Sequence, residues 1–155
     1  RRQRQMCIRD SPMATVFTRI INGELPGRFV YRDETCVAFL TIAPITYGHT
    51  LVVPIEEIDR WTDLDGTIMA HLGVVAQQVG EAVRTAFDAQ RAGLLIAGFE
   101  VPHTHLHVFP ANSMAGFSLN PDEMIADPDP ERMDAAAEAI RAALREAGHG
   151  EFVPA

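Results

Sequence analysis

The chain has no lysine: all thirteen of its basic residues are arginine, set against 21 carboxylates for a net charge of −8. Residues 1–12 hold four Arg and one Asp, net +3, so residues 13–155 carry −11. A body this acidic lacks the basic footprint of a nucleic-acid groove, although a few local donors could still hold a small anion. No apolar run approaches the ~20 residues of a membrane span, so no partnership with a bilayer is expected. Two cysteines, Cys7 and Cys36, are too few for a disulfide framework and favour a reducing, cytoplasmic setting. Cys36 lies in a strand-like run and reads as a small buried hydrophobe. No internal repeat or low-complexity tract breaks the chain, and 155 residues suffice for one domain with a proper core.

What is present is a row of imidazoles. His103, His105 and His107 alternate in the run His103-Thr104-His105-Leu106-His107-Val108-Phe109. In a strand, residues two apart share a face, so the three rings line up while Thr104, Leu106 and Val108 turn toward a core. Such a row stabilises a sheet poorly, yet it presents nucleophiles, proton carriers or metal ligands well. Zinc requires nitrogens converging at about 2.0–2.1 Å, whereas residues four apart in a strand stand roughly 13 Å apart. An extended substrate suits the row better, with the middle imidazole attacking phosphorus and its neighbours holding charge. Neutral imidazole is nucleophilic near pH 7 because its ordinary pKa is about 6.5.

Strand signals fall at residues 29–32, 35–40, 49–53, 94–99 and 104–109, with Asp33-Glu34 as a tight hairpin. Ile68, Leu72, Val75, Val79 and Val83 recur at helical spacing and predict a long helix over 66–87. His71 beside that stripe reads as an ordinary helix-surface histidine. A second helix is predicted over 130–147, capped by Asp129 with Pro130 at its first position and stopped by Gly148. Its stripe is Met133, Ala137, Ile140 and Leu144. The expected fold class is α+β: a five-stranded antiparallel sheet, one long central helix and a C-terminal helix. The domain is expected over 13–147, with 148–155 as a C-terminal tail. Residues 1–12 lack the apolar stretch of a signal peptide and read as a leader or artefact outside the domain. Residues 111–129, longer than a compact connection needs, read as a surface loop or a closure over the site.

The triad run resembles the hallmark of the histidine triad family, His-x-His-x-His followed by two apolar residues. Phe17-Thr18-Arg19-Ile20-Ile21-Asn22-Gly23-Glu24-Leu25-Pro26 resembles the family's opening turn. Residues 37–44 and Gly48-His49-Thr50-Leu51-Val52-Val53-Pro54 resemble its central strands. The resemblance implies a nucleotidyl hydrolase or transferase acting on a purine nucleotide, with His105 transiently nucleotidylated, His103 and His107 bracketing it, and His49 completing the polar site. It implies a base and ribose pocket from Val16, Phe17, Ile20, Phe39, Thr41 and Ile42, no cofactor, and a homodimer.

Three features depart from the family pattern. Thr41 stands where a carboxylate commonly holds the ribose, which loses a charge-assisted hydrogen bond. The loop before the triad is shortened to Ala97-Gly98-Phe99-Glu100-Val101-Pro102, with Glu100 near the expected phosphate. Thr15, Thr18 and Glu57 replace the Cys-x-x-Cys and histidine with which some members bind zinc, so that metal site is expected to be absent. Two alternatives stay open: a nucleotide-binding sensor without turnover, and a metal-dependent hydrolase using His103, His105 and His49 as ligands.

Overall fold

The computed structural model describes residues 14–155; the segment 1–12 and Cys7 lie outside them. Helix α1 (Val16–Ile21) is followed by strands β1 (Phe29–Arg32), β2 (Cys36–Leu40) and β3 (Thr50–Pro54), then the long helix α2 (Gly66–Ala86). Strands β4 (Arg91–Leu95) and β5 (Leu106–Ala111) and helix α3 (Pro130–Leu144) complete the fold. All neighbouring strands pair antiparallel, in the order β1-β2-β3-β5-β4. Among the described residues, no helix is long and apolar enough to cross a membrane.

Period-two alternation sorts the sheet into two faces. Cys36, Ala38, Leu40, Val52, Leu106 and Val108 face α2 and α3 in the main core. Val37, Phe39, Leu51 and Val53 face the other way and pack with Phe17 and Ile21 of α1. Every residue of β2 and β3 is buried because both faces are covered. The stripe of α2 is buried from Leu72 to Val83, and the stripe of α3 is buried at Met133, Ala137, Ile140 and Leu144. Asp129 caps α3 by accepting from Glu131 N, with Pro130 at the first position. Gly148 takes φ +95°, the left-handed conformation that glycine adopts without strain and that ends a helix.

The hairpin at Asp33 is fastened from two sides. Its Oδ1 accepts from the amides of Thr35 (2.8 Å) and Cys36 (2.9 Å), and its Oδ2 meets His71 Nε2 at 2.7 Å. His71 therefore ties α2 to the hairpin, beyond the surface role read from its position. Residues 148–155 run back over the sheet, where Phe152 stacks on Tyr31 with centroids 5.2 Å apart.

Two strands differ from expectation. The strand predicted at 94–99 lies at Arg91–Leu95, because β5 offers partners only from Ala111 back to His107, opposite Leu95. Gly98 then turns the chain with φ +82°. The strand predicted from Thr104 begins at Leu106. Thr104 N is drawn out to Ile58 O at 2.7 Å, which leaves no ladder position for residues 103–105.

Gly93 marks the tightest cross-strand approach. It pairs with Phe109, and a Cβ there would stand 2.3 Å from the Phe109 ring and 2.8 Å from Phe117. Phe109 is fully buried and has nowhere to retreat. Gly93→Ala is expected to cost about 1–3 kcal/mol through overpacking, lowering the melting temperature by roughly 2–4 °C per kcal/mol in a calorimetric scan.

Candidate active site

The second face of the sheet carries the imidazoles. His107 is on β5 opposite Leu51 of β3, His105 precedes β5, and His49 precedes β3. A cavity of about 780 Å³ opens over them, large enough for a nucleotide and part of a leaving group. His49, His105 and His107 line its floor; Val16, Phe17, Ile20, Phe39, Thr41 and Ile42 contribute to its walls. The ring of Phe17 meets that of His105 edge-on, with centroids 4.9 Å apart. His103 is not among the lining residues. It is fully buried behind His105, so it does not bracket the substrate side of the site.

Hydrogen-bond partners fix where each proton sits. A carbonyl oxygen only accepts, so the 2.7 Å contact between His105 Nδ1 and His103 O puts the proton of His105 on Nδ1. The Nε2 lone pair of His105 is thereby left for the cavity. His49 Nδ1 accepts from Ile45 N at 3.1 Å, so neutral His49 carries its proton on Nε2. That nitrogen donates to His107 Nδ1 at 2.9 Å, which leaves the proton of His107 on Nε2. The His107 ring lies 4.8 Å from that of His105. The site thus offers one imidazole as nucleophile and its neighbour as hydrogen-bond donor.

All four rings are held neutral. Desolvation, and next the repulsion that a proton on His49 would meet from protons on His107 and His105, lowers His49 from 6.5 to about 3. His107 is lowered to about 4 by desolvation and then by His105. Burial also lowers His103 and His105, opposed in part by the Pro54 carbonyl at His103 and by the His103 carbonyl and Glu100 at His105.

Behind the floor, His103 Nε2 donates to Pro54 O at 2.8 Å and its Nδ1 meets Thr15 Oγ1 at 2.8 Å. Both ring nitrogens face away from the cavity, and a metal held jointly by His103, His105 and His49 does not fit this placement. The mixed cluster Asp33, Cys36 and His71 brings possible ligand atoms within 4.8 Å of one another, on the far side of the sheet from the triad.

Arg28, Met124 and Asp134 also line the cavity. Arg28 Nε donates to Asp134 Oδ1 at 2.7 Å. Met124 comes from the segment 111–129, which is tied down where Ile125 N donates to Pro44 O at 2.8 Å. No periodic or motif signal marks these three; topology alone brings them to the rim. Glu100 lines the cavity as well. Thr41 Oγ1 accepts from Ala43 N at 3.2 Å and keeps its proton free to donate.

The HIT domain family matches residues 22–114. An uncharacterised HIT-like protein of Mycobacterium tuberculosis is 34% identical over 137 residues, 85% of this chain and 94% of that one. The crystal structure of a zinc-bound histidine triad family protein from Mycobacterium smegmatis superposes with a TM-score of 0.72 at 31% identity, covering 88% of this chain and 96% of that one. A hypothetical histidine triad nucleotide-binding protein from Sulfolobus tokodaii gives a TM-score of 0.73 at 28% identity, over 90% and 99% of the two chains.

Proposed function

This chain belongs to the histidine triad family, and we propose on that footing that it is a nucleotidyl hydrolase or transferase working through a covalent intermediate on His105. Membership supports a nucleotide-binding hydrolase or transferase kind of activity; the residue roles rest on the geometry above. The observation that carries the reading is the bond from His105 Nδ1 to His103 O. It leaves Nε2 of a neutral, buried imidazole free at the floor of an apolar cavity.

In the first step the Nε2 lone pair attacks the α-phosphorus of a nucleoside phosphate ester, anhydride or phosphoramidate. The N–P bond forms as the bond to the leaving group breaks, and the leaving atom departs with its electron pair to be protonated by water. His105 now carries a positive charge that its Nδ1–H shares with the His103 carbonyl. His107 Nε2–H donates to a non-bridging oxygen, where charge grows in the transition state. Water, or another acceptor in a transferase, then attacks phosphorus; the N–P bond breaks with its electron pair returning to His105 Nε2, and the attacking group's proton passes to solvent.

Val16, Phe17, Ile20, Phe39 and Ile42 take the base, and the Thr41 hydroxyl donates to the ribose. The same reading carries a homodimer: β4 is a sheet edge, and Leu94 on it is half-exposed, a face that a second copy would cover.

The test is product analysis by mass spectrometry on adenosine 5′-phosphoramidate, an aminoacyl-adenylate and a dinucleoside polyphosphate, with and without a chelator. Release of nucleoside monophosphate, unchanged by the chelator, is the expected result. Tight nucleotide binding with no release from any of the three would move the function to a sensor.

A further inference from the structure

The residues that stand where some family members place zinc ligands form a closed hydrogen-bonded chain here. Thr15 N and Thr18 Oγ1 donate to Glu57 Oε1 at 2.9 and 2.6 Å. Thr18 N donates to Thr15 Oγ1 at 3.2 Å, in the capping bond of α1. With the His103 proton on Nε2, its Nδ1 can only accept, so Thr15 Oγ1 donates to it at 2.8 Å. His103 Nε2–H reaches Pro54 O at 2.8 Å. Because Pro54 O only accepts, these assignments admit only one neutral tautomer of His103.

The donor set does not suit zinc. Cysteine, histidine and carboxylate oxygen are its usual ligands, and two of the three replaced positions carry threonine hydroxyls. Only Glu57 and His103 remain, and the lone pair of His103 Nδ1 is taken up by Thr15.

We infer that Glu57, Thr18 and Thr15 are positioning residues for the reaction: they pin the His103 ring so that its carbonyl stays on His105 Nδ1 and the Nε2 lone pair of His105 faces the cavity. The peptide between residues 103 and 104 is gripped on both sides. On one side stands the His103 ring with its two partners. On the other, Thr104 N and Oγ1 both donate to Ile58 O, at 2.7 and 2.8 Å, one residue after Glu57. The segment Glu57-Ile58 thus holds the carbonyl that selects the tautomer of the nucleophile, although none of its side chains lines the floor beside His105. Hydrogen bonds within the chain do the holding, with no metal.

This rests on His105 being the nucleophile, and the experiment separates the two claims. Thr15→Val and Glu57→Ala are each expected to lower kcat about tenfold, the equivalent of one buried hydrogen bond, with KM within about twofold. Thr15→Ser and Glu57→Gln, which keep the donor and the acceptor, restore kcat to within about threefold of the parent. The Thr15→Val/Glu57→Ala double variant falls little below either single one, because both break the same chain. In the nucleotide-free protein, 15N shifts should report a single Nδ1–H tautomer of His105 in the parent and a mixture in Thr15→Val. Zinc or chelator should move neither the parent's melting temperature nor its rate.

Unchanged kcat in folded Thr15→Val and Glu57→Ala overturns the inference, as does an unchanged His105 tautomer or a zinc-dependent melting temperature. A wild type that turns over no substrate defeats the nucleophile reading instead, while the tautomer measurement still decides the positioning.

Discussion

His105→Ala should lose roughly three to five orders of magnitude in kcat while still binding nucleotide, because it removes the attacking atom and leaves the cavity wall in place. Phe17 rests edge-on against the His105 ring, so some loosening is expected. The other apolar wall residues, on α1, β2 and the loop after it, do not depend on that ring. Nucleoside monophosphate affinity should therefore stay within about threefold of the parent. Acid-quenched parent protein should carry a nucleotidyl mass adduct under turnover, and the variant none. Turnover by His105→Ala at anything near the parental rate would sink the covalent mechanism. Equal binding by both proteins with no product from the parent would favour the sensor.

How much of this was legible in the sequence depended on whether the signal was local. The helices were: their stripes at Leu72, Val75, Val79 and Val83, and at Met133, Ala137, Ile140 and Leu144, are buried as their spacing requires. The alternation that turns Leu106 and Val108 to the core is local too. His103 was not legible. Period two places it in line with His105 and His107, but the chain leaves the ladder before Leu106. The pull comes from Pro54 O and Ile58 O, 49 and 46 residues away in sequence. No window around the triad contains those acceptors. In the sequence, Thr15, Thr18 and Glu57 stand out only by the ligands they replace. That they hydrogen-bond with one another depends on α1 and the segment after β3 meeting in space. Met124 and Asp134 reach the cavity for the same reason, from a connection and a helix whose own sequence says nothing of it.

Stability should drop steeply in acid, beginning near pH 6.5. His49 titrates at about 3 and His107 at about 4 in the folded chain, both from 6.5, with desolvation the main cause in each. Between those values and 6.5 the unfolded chain binds protons that the folded chain refuses, so the folded state loses ground as pH falls. Above 6.5 both states leave these rings neutral and stability is full; below about 3 both states are protonated and this loss stops growing. At pH 5 each ring contributes about 2 kcal/mol of destabilisation, on the order of 4 kcal/mol for the two. That is a large share of the ~5–15 kcal/mol typical of a domain. Asp33 and Glu57 are both held below their ordinary 3.8 and 4.5, so their contributions are lost only at more acid pH. The slope between pH 6.5 and 5 belongs to the histidines. Urea unfolding at pH 8, 6 and 5 measures it, and His107→Asn should reduce the proton uptake by about one. A stability flat down to pH 5 would mean that water reaches these rings. His107 would then be free to carry a proton on both nitrogens, and the neutral donor beside His105 would have to be abandoned.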